Sequence, residues 1–431
     1  MSGSERAGAE PRWTQRLGRW LPEGTPLVAV GVAVLGAASY VHLAIAGHSL
    51  SETEMANLSV LWSVVFSLGY GLFLPVEQEL TRTVAARRAR RHGVGPLWRR
   101  GNLAAYLLFA GLALISLVGS AGLARALFLG DRVLVLVTLG GLLGLAVASP
   151  QRGLAAGTAR FGSYGGQLGL DGLFRMLLAA GLAAAGWHTA AAFGLVLTEA
   201  PVLATLAILR PMRGSAGPGP PAGWVEFGRG LGPLLVSALL AQVVLNASVV
   251  SVRVLAPERT AVAAALLSAL ILIRVPLFVF ASLQASLLSG LASARATADP
   301  ARFGRLLRRA CVVVTGLAAI GAGVAIAVGP WLIRTLFAAQ EVFGRWDFAI
   351  FAAGTWAYLL ALVLGQAALA LGHHRVQMAA WIAGVATLVL ITVGPGELTR
   401  RVEWAYALGN AVVAGVLAGL VVWVRPARTL A

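Results

Sequence analysis

Ionisable side chains interrupt several long apolar stretches of this sequence, and these residues are the ones most able to bind or move charge. Arg274 lies in the stretch LILIRVPLF, and Pro276 follows it closely. A guanidinium at the centre of a membrane span costs about 2.5–3.5 kcal/mol to insert, so it should face protein or a hydrated cavity. Because proline disrupts the preceding helical turn, a kinked helix is expected here. We interpret Arg274 as a substrate-contacting residue; alternatively, a neighbouring carboxylate or helix carbonyls satisfy it.

Two further stretches carry acidic side chains. Asp171 and Arg175 lie four residues apart in LGLDGLFRMLL, a spacing that places them on one helix face in the order that favours an ion pair. The pair either stabilises insertion or forms a charged cavity wall. Glu199, in VLTEAPVL, could take up and release a proton because burial favours the neutral carboxyl, or it could pair with Arg175 or Arg274. We assign Arg274 and Arg175 to substrate binding, and Asp171 and Glu199 to ion coupling.

Uncharged polar side chains form a second candidate set. Gln242 and Asn246 share one face of an apolar stretch, and Thr355 and Gln366 lie in another. Their side chains could bind sugar hydroxyls, although hydrogen bonding between helices is the more common use of such groups. We assign Gln242, Asn246 and Gln366 to substrate binding.

The polar end of the second apolar stretch carries Glu77, Glu79 and Arg82. These side chains could gate a cavity at its inner mouth, or they could simply lie among lipid headgroups. We assign Glu79 and Arg82 to a gate.

Metal, cofactor and catalytic chemistry are not indicated. The single cysteine, Cys311, can form neither an intrachain disulfide nor a zinc site by itself. His373 and His374 are adjacent, so on a helix they point to different faces. The sequence contains no GxxxxGK[ST], HExxH or GxSxG motif. We expect a protein that is not an enzyme and that binds no metal and no cofactor.

The composition places these residues in a membrane. Hydrophobic residues make up 58% of the chain and charged residues 12%, whereas soluble domains carry about 25% charged residues. The 34 basic residues are all arginines, and with 17 acidic residues they give a net charge of +17. In an apolar chain this charge indicates membrane orientation and attraction to anionic lipids rather than nucleic-acid binding.

A membrane span needs about 20 mostly apolar residues, and by this rule the sequence predicts an all-α protein with twelve spans. They lie near 26–47, 57–75, 102–123, 133–149, 166–186, 189–209, 231–252, 261–289, 310–329, 347–371, 377–394 and 402–424. The first is expected to be retained rather than cleaved as a signal peptide.

The spans divide into two lobes, 26–209 and 225–424, joined by the Pro/Gly-rich segment 210–224, which we interpret as a flexible cytoplasmic linker. Arginines are concentrated in alternate loops, which predicts that the N-terminal segment 1–25 and the tail 425–431 are both cytoplasmic.

The two lobes have the pattern of repeats. Each has its largest basic loop after its second span, TRTVAARRARRHGVGPLWRR in the first and SARATADPARFGRLLRRA in the second. Six spans per lobe give both copies the same orientation, so they should be related by an axis along the membrane normal. This arrangement recurs in secondary transporters.

Taken together, the six-plus-six spans, the central linker, the polar end of the second span and the Arg-x-Pro element of the eighth resemble the multidrug/oligosaccharidyl-lipid/polysaccharide (MOP) exporter superfamily. The polysaccharide repeat-unit flippases are the most similar branch. The stretch GLAAGTARFGSYGGQLGLDGLFRMLLA at 153–179 is similar to their loop leading into the fifth span. The resemblance covers nearly the whole chain and implies a MATE-like fold.

The resemblance also implies a function. It implies a bacterial flippase that moves a polyprenyl-diphosphate-linked oligosaccharide, a precursor of cell-surface polysaccharide, to the outer leaflet of the plasma membrane. Two lobes would alternate access, coupled to protons or sodium. Arg274 would face the cavity, where its planar fork suits a diphosphate. The expected partners are the lipid-linked glycan and membrane lipids, with no nucleic acid, and the chain is expected to be a monomer.

Other functions remain open. A cation-coupled multidrug or small-molecule exporter of the same fold would use an acidic pocket, which Arg274 disfavours. A membrane-embedded polysaccharide polymerase or ligase would need a catalytic outer loop, and the predicted outer loops are short. A scaffold that no longer transports would tend to lose its buried ionisable groups.

Overall fold

A computed structural model describes residues 24–212, 214–228, 230–255, 275–337 and 343–424. Arg274, the start of the predicted N-terminal segment and the tail 425–431 lie outside these ranges. Within them the chain is helical and contains no strand.

The first lobe contains six long helices and one short one, α4, at a loop. They are α1 (Thr25–Ser49), α2 (Glu52–Ala89), α3 (Gly95–Val118), α4 (Ser120–Leu127), α5 (Arg132–Gly157), α6 (Phe161–Ala184) and α7 (Ala190–Met212).

The second lobe follows a one-turn helix, α8. The helices of this half are α8 (Trp224–Gly228), α9 (Leu231–Leu255), α10 (Val275–Ala296), α11 (Pro300–Phe337), α12 (Arg345–Ala370), α13 (His374–Val393) and α14 (Leu398–Val424). Ten helices of the described chain are long and apolar enough to cross a membrane. The other two predicted spans overlap α9 and α10, and residues 261–274 of the second lie outside the described part.

The two lobes pair their helices in the same pattern. In the first lobe α1 packs on α6, α2 on α5, and α7 on both α5 and α6. In the second lobe the helices of equivalent order do the same: α9 packs on α13, α10 on α12, and α14 on both α12 and α13. This correspondence confirms the prediction of two six-helix repeats.

Closely packed glycines hold α1 against α6. A Cβ atom added to Gly31 would lie 2.3 Å from the carbonyl oxygen of Gly165, and one added to Gly165 would lie 2.2 Å from that of Leu27. Small residues allow this approach of two backbones, which replaces the missing hydrophobic driving force between helices in lipid. The contact fixes two walls of the site described below.

The lobes meet mainly through α2, which contacts α9 and α10, while α1 also contacts α10. The hydroxyl oxygens of Thr25 on α1 and Ser286 on α10 lie 2.9 Å apart, both buried. The second lobe therefore contributes two helices, α9 and α10, to the surroundings of the first.

The linker is helical at its two ends, where α7 runs to Met212 and α8 begins at Trp224, and residues 214–223 between them have no regular structure, as their proline and glycine content predicts. This part is hydrogen-bonded to the first lobe. The Arg87 guanidinium donates to the carbonyl oxygens of Pro220 at 2.7 Å and Pro221 at 3.1 Å. The Gly95 amide donates to the Gly217 carbonyl at 3.0 Å. The interpretation as a flexible tether did not anticipate these contacts, because their donors are more than a hundred residues away in sequence.

Candidate functional site

A cavity of about 440 Å³ lies among α1, α2, α5 and α6, and α10 of the second lobe contributes to its wall. We call it the N-lobe cavity. Its described lining is mostly apolar and aromatic but includes two carboxylates and two guanidiniums, from Glu77, Arg152, Asp171 and Arg175. These charges sum to zero and are arranged as two separate pairs.

The first pair is the one that the sequence predicts on α6. An Arg175 Nη2 donates to Asp171 Oδ1 at 2.9 Å, and both side chains are almost fully buried. Arg175 Nη1 also donates to Ser39 Oγ on α1 at 3.3 Å. The guanidinium lies over the rings of Trp62 and Phe66, 5.5 and 5.6 Å from their centroids. Its buried Nε has no hydrogen-bond partner among the described residues.

The second pair joins three helices. Arg152 Nε on α5 donates to Glu77 Oε2 on α2 at 2.8 Å, and the Tyr164 hydroxyl on α6 donates to Glu77 Oε1 at 2.7 Å. Arg152 Nη2 also donates to Ser149 Oγ at 3.3 Å. Sequence analysis missed Arg152 because it ended the fourth span at 149, whereas α5 continues to Gly157. The small and apolar residues that follow Arg152 could have indicated that the helix continues past this arginine.

In each pair, another anion could replace the carboxylate as the partner of the arginine. Separation of either carboxylate from its arginine would leave a desolvated guanidinium without its counter-charge, which strongly favours binding of another anion. Aromatic side chains, among them Tyr40 and Tyr70, add flat apolar surfaces beside both pairs.

The predicted amide residues of the second lobe are not among the described residues that line this cavity. Gln242 is half-buried on α9, and Gln366 is buried on α12 with an Oε1 that lacks a partner. Asn246 lies on α9, but its side chain is outside the described part. The lining instead includes two amides that sequence analysis did not select, Gln78 on α2 and Gln284 on α10.

Glu199 lies apart from the two pairs. It is exposed on α7 and lines a separate pocket with Trp187 and Leu195. Leu195 and Leu203, one turn on either side, are exposed as well, so Glu199 is on an outward face of the helix. The structure therefore does not bring Glu199 together with Asp171 or Arg175.

The predicted gate residues form a compact cluster that also reaches the second lobe. Arg82 donates to both carboxylate oxygens of Glu79, at 2.5 and 2.9 Å, and Glu79 is fully buried. The Nε2 of His374, the first residue of α13, lies 3.8 Å from Glu79 Oε2. Gly230 packs on this imidazole so closely that a Cβ would lie 2.4 Å from Nε2. We call Glu79, Arg82 and His374 the gate cluster.

Relatives of similar sequence span almost the whole chain. No family model matches the sequence. The uncharacterised protein Rv1510 of Mycobacterium tuberculosis is 26% identical over 402 residues, which cover 90% of each chain. The uncharacterised protein Rv3630 of the same organism is 25% identical over 394 residues, again covering 90% of each.

Solved structures of MATE transporters are similar to this chain in fold. A mutant of the Vibrio cholerae MATE transporter VcmN matches with a TM-score of 0.74 at 17% identity, covering 95% of this chain and 97% of that one. The eukaryotic MATE transporter AtDTX14 matches with a TM-score of 0.72 at 16% identity, covering 95% and 96%. An outward-facing MATE transporter of the MOP superfamily matches with a TM-score of 0.73 at 12% identity, covering 95% and 97%. This chain is therefore an all-α, multi-pass protein with the MATE fold.

Proposed function

We propose that this chain is a membrane transporter that flips a polyprenyl-diphosphate-linked oligosaccharide across the plasma membrane by alternating access of its two lobes. The observation that carries this proposal is the pair of buried arginines in the N-lobe cavity, each neutralised by one carboxylate. Arg175 keeps an unpartnered Nε, and Arg152 is bound through Nε to Glu77. A guanidinium presents its donors in a planar fork that fits phosphate oxygens.

Ion coupling follows from these pairs. A diphosphate that displaces Asp171 or Glu77 from its arginine frees a carboxylate in the cavity, and a coupling proton or sodium ion would neutralise that charge. Binding of the substrate and of the coupling ion would then stabilise each other, and the coupling would be reciprocal. Asp171 thus keeps its proposed role in ion coupling, and we propose the same role for Glu77.

The cavity has a size suited to a headgroup rather than a whole lipid. Its volume of about 440 Å³ falls within the range of small-molecule sites, roughly 300–1,000 Å³. The polyprenyl chain would stay in lipid while the diphosphate and first sugar enter. Aromatic rings from α1 and α2 would meet the apolar faces of the sugar.

The remaining predicted residues keep their roles as proposals. The gate cluster would close one end of the pathway, since it joins α2 of the first lobe to α13 of the second. Gln242, Asn246 and Gln366 would contact the substrate from the second lobe, and Glu199 would contribute to ion coupling. Arg274, which lies outside the described residues, stays a predicted diphosphate contact.

A second candidate is a cation-coupled exporter of organic cations. The rings of Trp62 and Phe66 already hold the Arg175 guanidinium by cation–π contact, and the same rings could hold a cationic drug. Asp171 and Glu77 would then supply the negative charge.

Reconstituted vesicles distinguish the two candidates. Arg175→Gln should reduce flipping of a fluorescent polyprenyl-diphosphate disaccharide on the order of ten-fold or more, since a buried charge-assisted contact contributes about 1.5–3 kcal/mol. Exposed Arg305→Gln is the matched control and should flip normally. Normal flipping by Arg175→Gln would contradict the assignment, and pH-driven ethidium export without flipping would favour the second candidate.

A further inference from the structure

A third pocket, which shares no lining residue with the other two, lies at the end of the first lobe where the linker docks. Its volume is about 370 Å³. Three segments form it: the end of α2 with the turn that follows it, the turn between α5 and α6, and the linker from Gly214 to Gly217. We call it the linker pocket.

The linker pocket is lined by basic side chains. Arg88, Arg91, His92 and Arg160 contribute to its wall, and none of the described residues that line it is acidic. Arg88 also donates to the carbonyl oxygen of Thr158, which ties the α2 end to the α5–α6 turn.

Two helices begin at the linker pocket. The residues that precede α3 and α6, Val94 and Arg160, both line it, and neither supplies a side-chain cap to its helix. Each of these helices is 24 residues long. In α3 the first amide, that of Gly95, already donates to the Gly217 carbonyl, and Pro96 has no amide hydrogen. The start of α6 is therefore the helix end whose positive dipole favours an anion in the pocket, as the guanidiniums do.

One polar group of the linker is left without a partner. Ser215 Oγ is buried and makes no hydrogen bond. A buried hydroxyl without a partner is costly, and it can donate to an anion as readily as it accepts. An oxyanion in the pocket would satisfy it.

We infer that the linker pocket binds a phosphate-bearing anion, either the headgroup of an anionic phospholipid or free phosphate. Arginine forks, a serine hydroxyl and the N-terminus of α6 together match the several oxygens of a phosphate group. Because the linker forms one wall, the bound anion would fasten the linker to the first lobe. The site is separate from the proposed transport pathway, so it does not depend on the identity of the transported substrate.

The test uses the full chain in lipid nanodiscs. Native mass spectrometry would count phosphatidylglycerol molecules retained from a phosphatidylcholine background, and thermal melting in phosphatidylcholine alone would compare phosphate with chloride at equal ionic strength. Retention of phosphatidylglycerol indicates a lipid headgroup, and stabilisation by phosphate alone indicates the free ion. The triple variant Arg88→Gln, Arg91→Gln, Arg160→Gln should weaken the effect by about five-fold per arginine at low salt.

The control removes the same charge from the equivalent loop of the second lobe, through Arg302→Gln, Arg305→Gln and Arg309→Gln. This control should bind normally. Arg91→Gln and Ser215→Ala each leave the Arg88 contact intact and should weaken binding several-fold if the triple variant folds poorly. Equal losses in the control and the triple variant, or no binding of either probe by the parent protein, would overturn the inference.

Discussion

At the scale of single residues, the pair formed by Glu77 and Arg152 predicts a measurable coupling. Removing one member of a buried ion pair costs about 3–5 kcal/mol, because the other charge stays buried, whereas replacing both is much less costly. Arg152→Gln alone should therefore destabilise the protein more than the double variant with Glu77→Gln. Thermal or denaturant unfolding in detergent would measure the stability of the two single variants and the double variant. Strictly additive changes in the free energy of unfolding would show that the two side chains do not interact.

The two charge pairs also show which contacts a sequence can reveal. Asp171 and Arg175 are on one helix, so their spacing was enough to predict the ion pair that the structure confirms. Glu77 and Arg152 come from different helices, and no local pattern joins them. Glu199 illustrates another gap: hydropathy predicted that it lies in a span, but the direction in which a helix faces depends on its neighbours.

At the scale of helices, the glycine contact between α1 and α6 predicts a position-specific effect. Gly165→Ala would place a Cβ 2.2 Å from the Leu27 carbonyl oxygen, so α1 must shift, and overpacking of this kind typically costs about 1–3 kcal/mol. The next residue is a matched control, because a Cβ on Gly166 meets nothing within 4 Å. Gly166→Ala should be neutral or slightly stabilising.

Melting temperatures of the two alanine variants, together with their binding of the fluorescent lipid-linked disaccharide, would measure this effect. Loss of stability and binding in Gly165→Ala alone is the expected outcome. Similar behaviour of both variants would mean that the close approach of α1 and α6 does not shape the cavity.

Helix existence was predictable and helix ends were not. The apolar stretches located the long helices, because a span must satisfy its backbone internally within lipid. Their ends are set by other forces, and α2 and α11 both run 38 residues into or through the basic loops. In α2 this extension carries Arg87, which reaches the linker carbonyls. Predicting the linker contacts therefore requires the position of the end of α2, which the amino-acid composition does not indicate.

At the scale of the whole molecule, the two-lobe fold was predictable because both halves of the sequence have the same pattern of spans and basic loops. Equivalent basic loops and equal numbers of spans imply a common orientation, and the matching helix pairs confirm the repeats. The contacts between the lobes were harder to predict from the sequence. His374 attracted attention only as one of two adjacent histidines, although its imidazole lies beside the buried Glu79 of the other lobe.

The gate cluster predicts how the lobes separate. His374→Ala removes a buried imidazole that lies beside Glu79 of the first lobe, and each loss of about 1 kcal/mol of its packing from the closed state should raise the open population about five-fold. The substitution Gln78→Cys, at a residue that lines the N-lobe cavity next to Glu79, would report opening by its rate of labelling with a membrane-impermeant maleimide in a Cys311→Ser background. His373→Ala is the matched control, because this neighbour lies outside the cluster. Faster labelling only in His374→Ala is expected; equal rates in the two variants would show that the imidazole does not hold the lobes together.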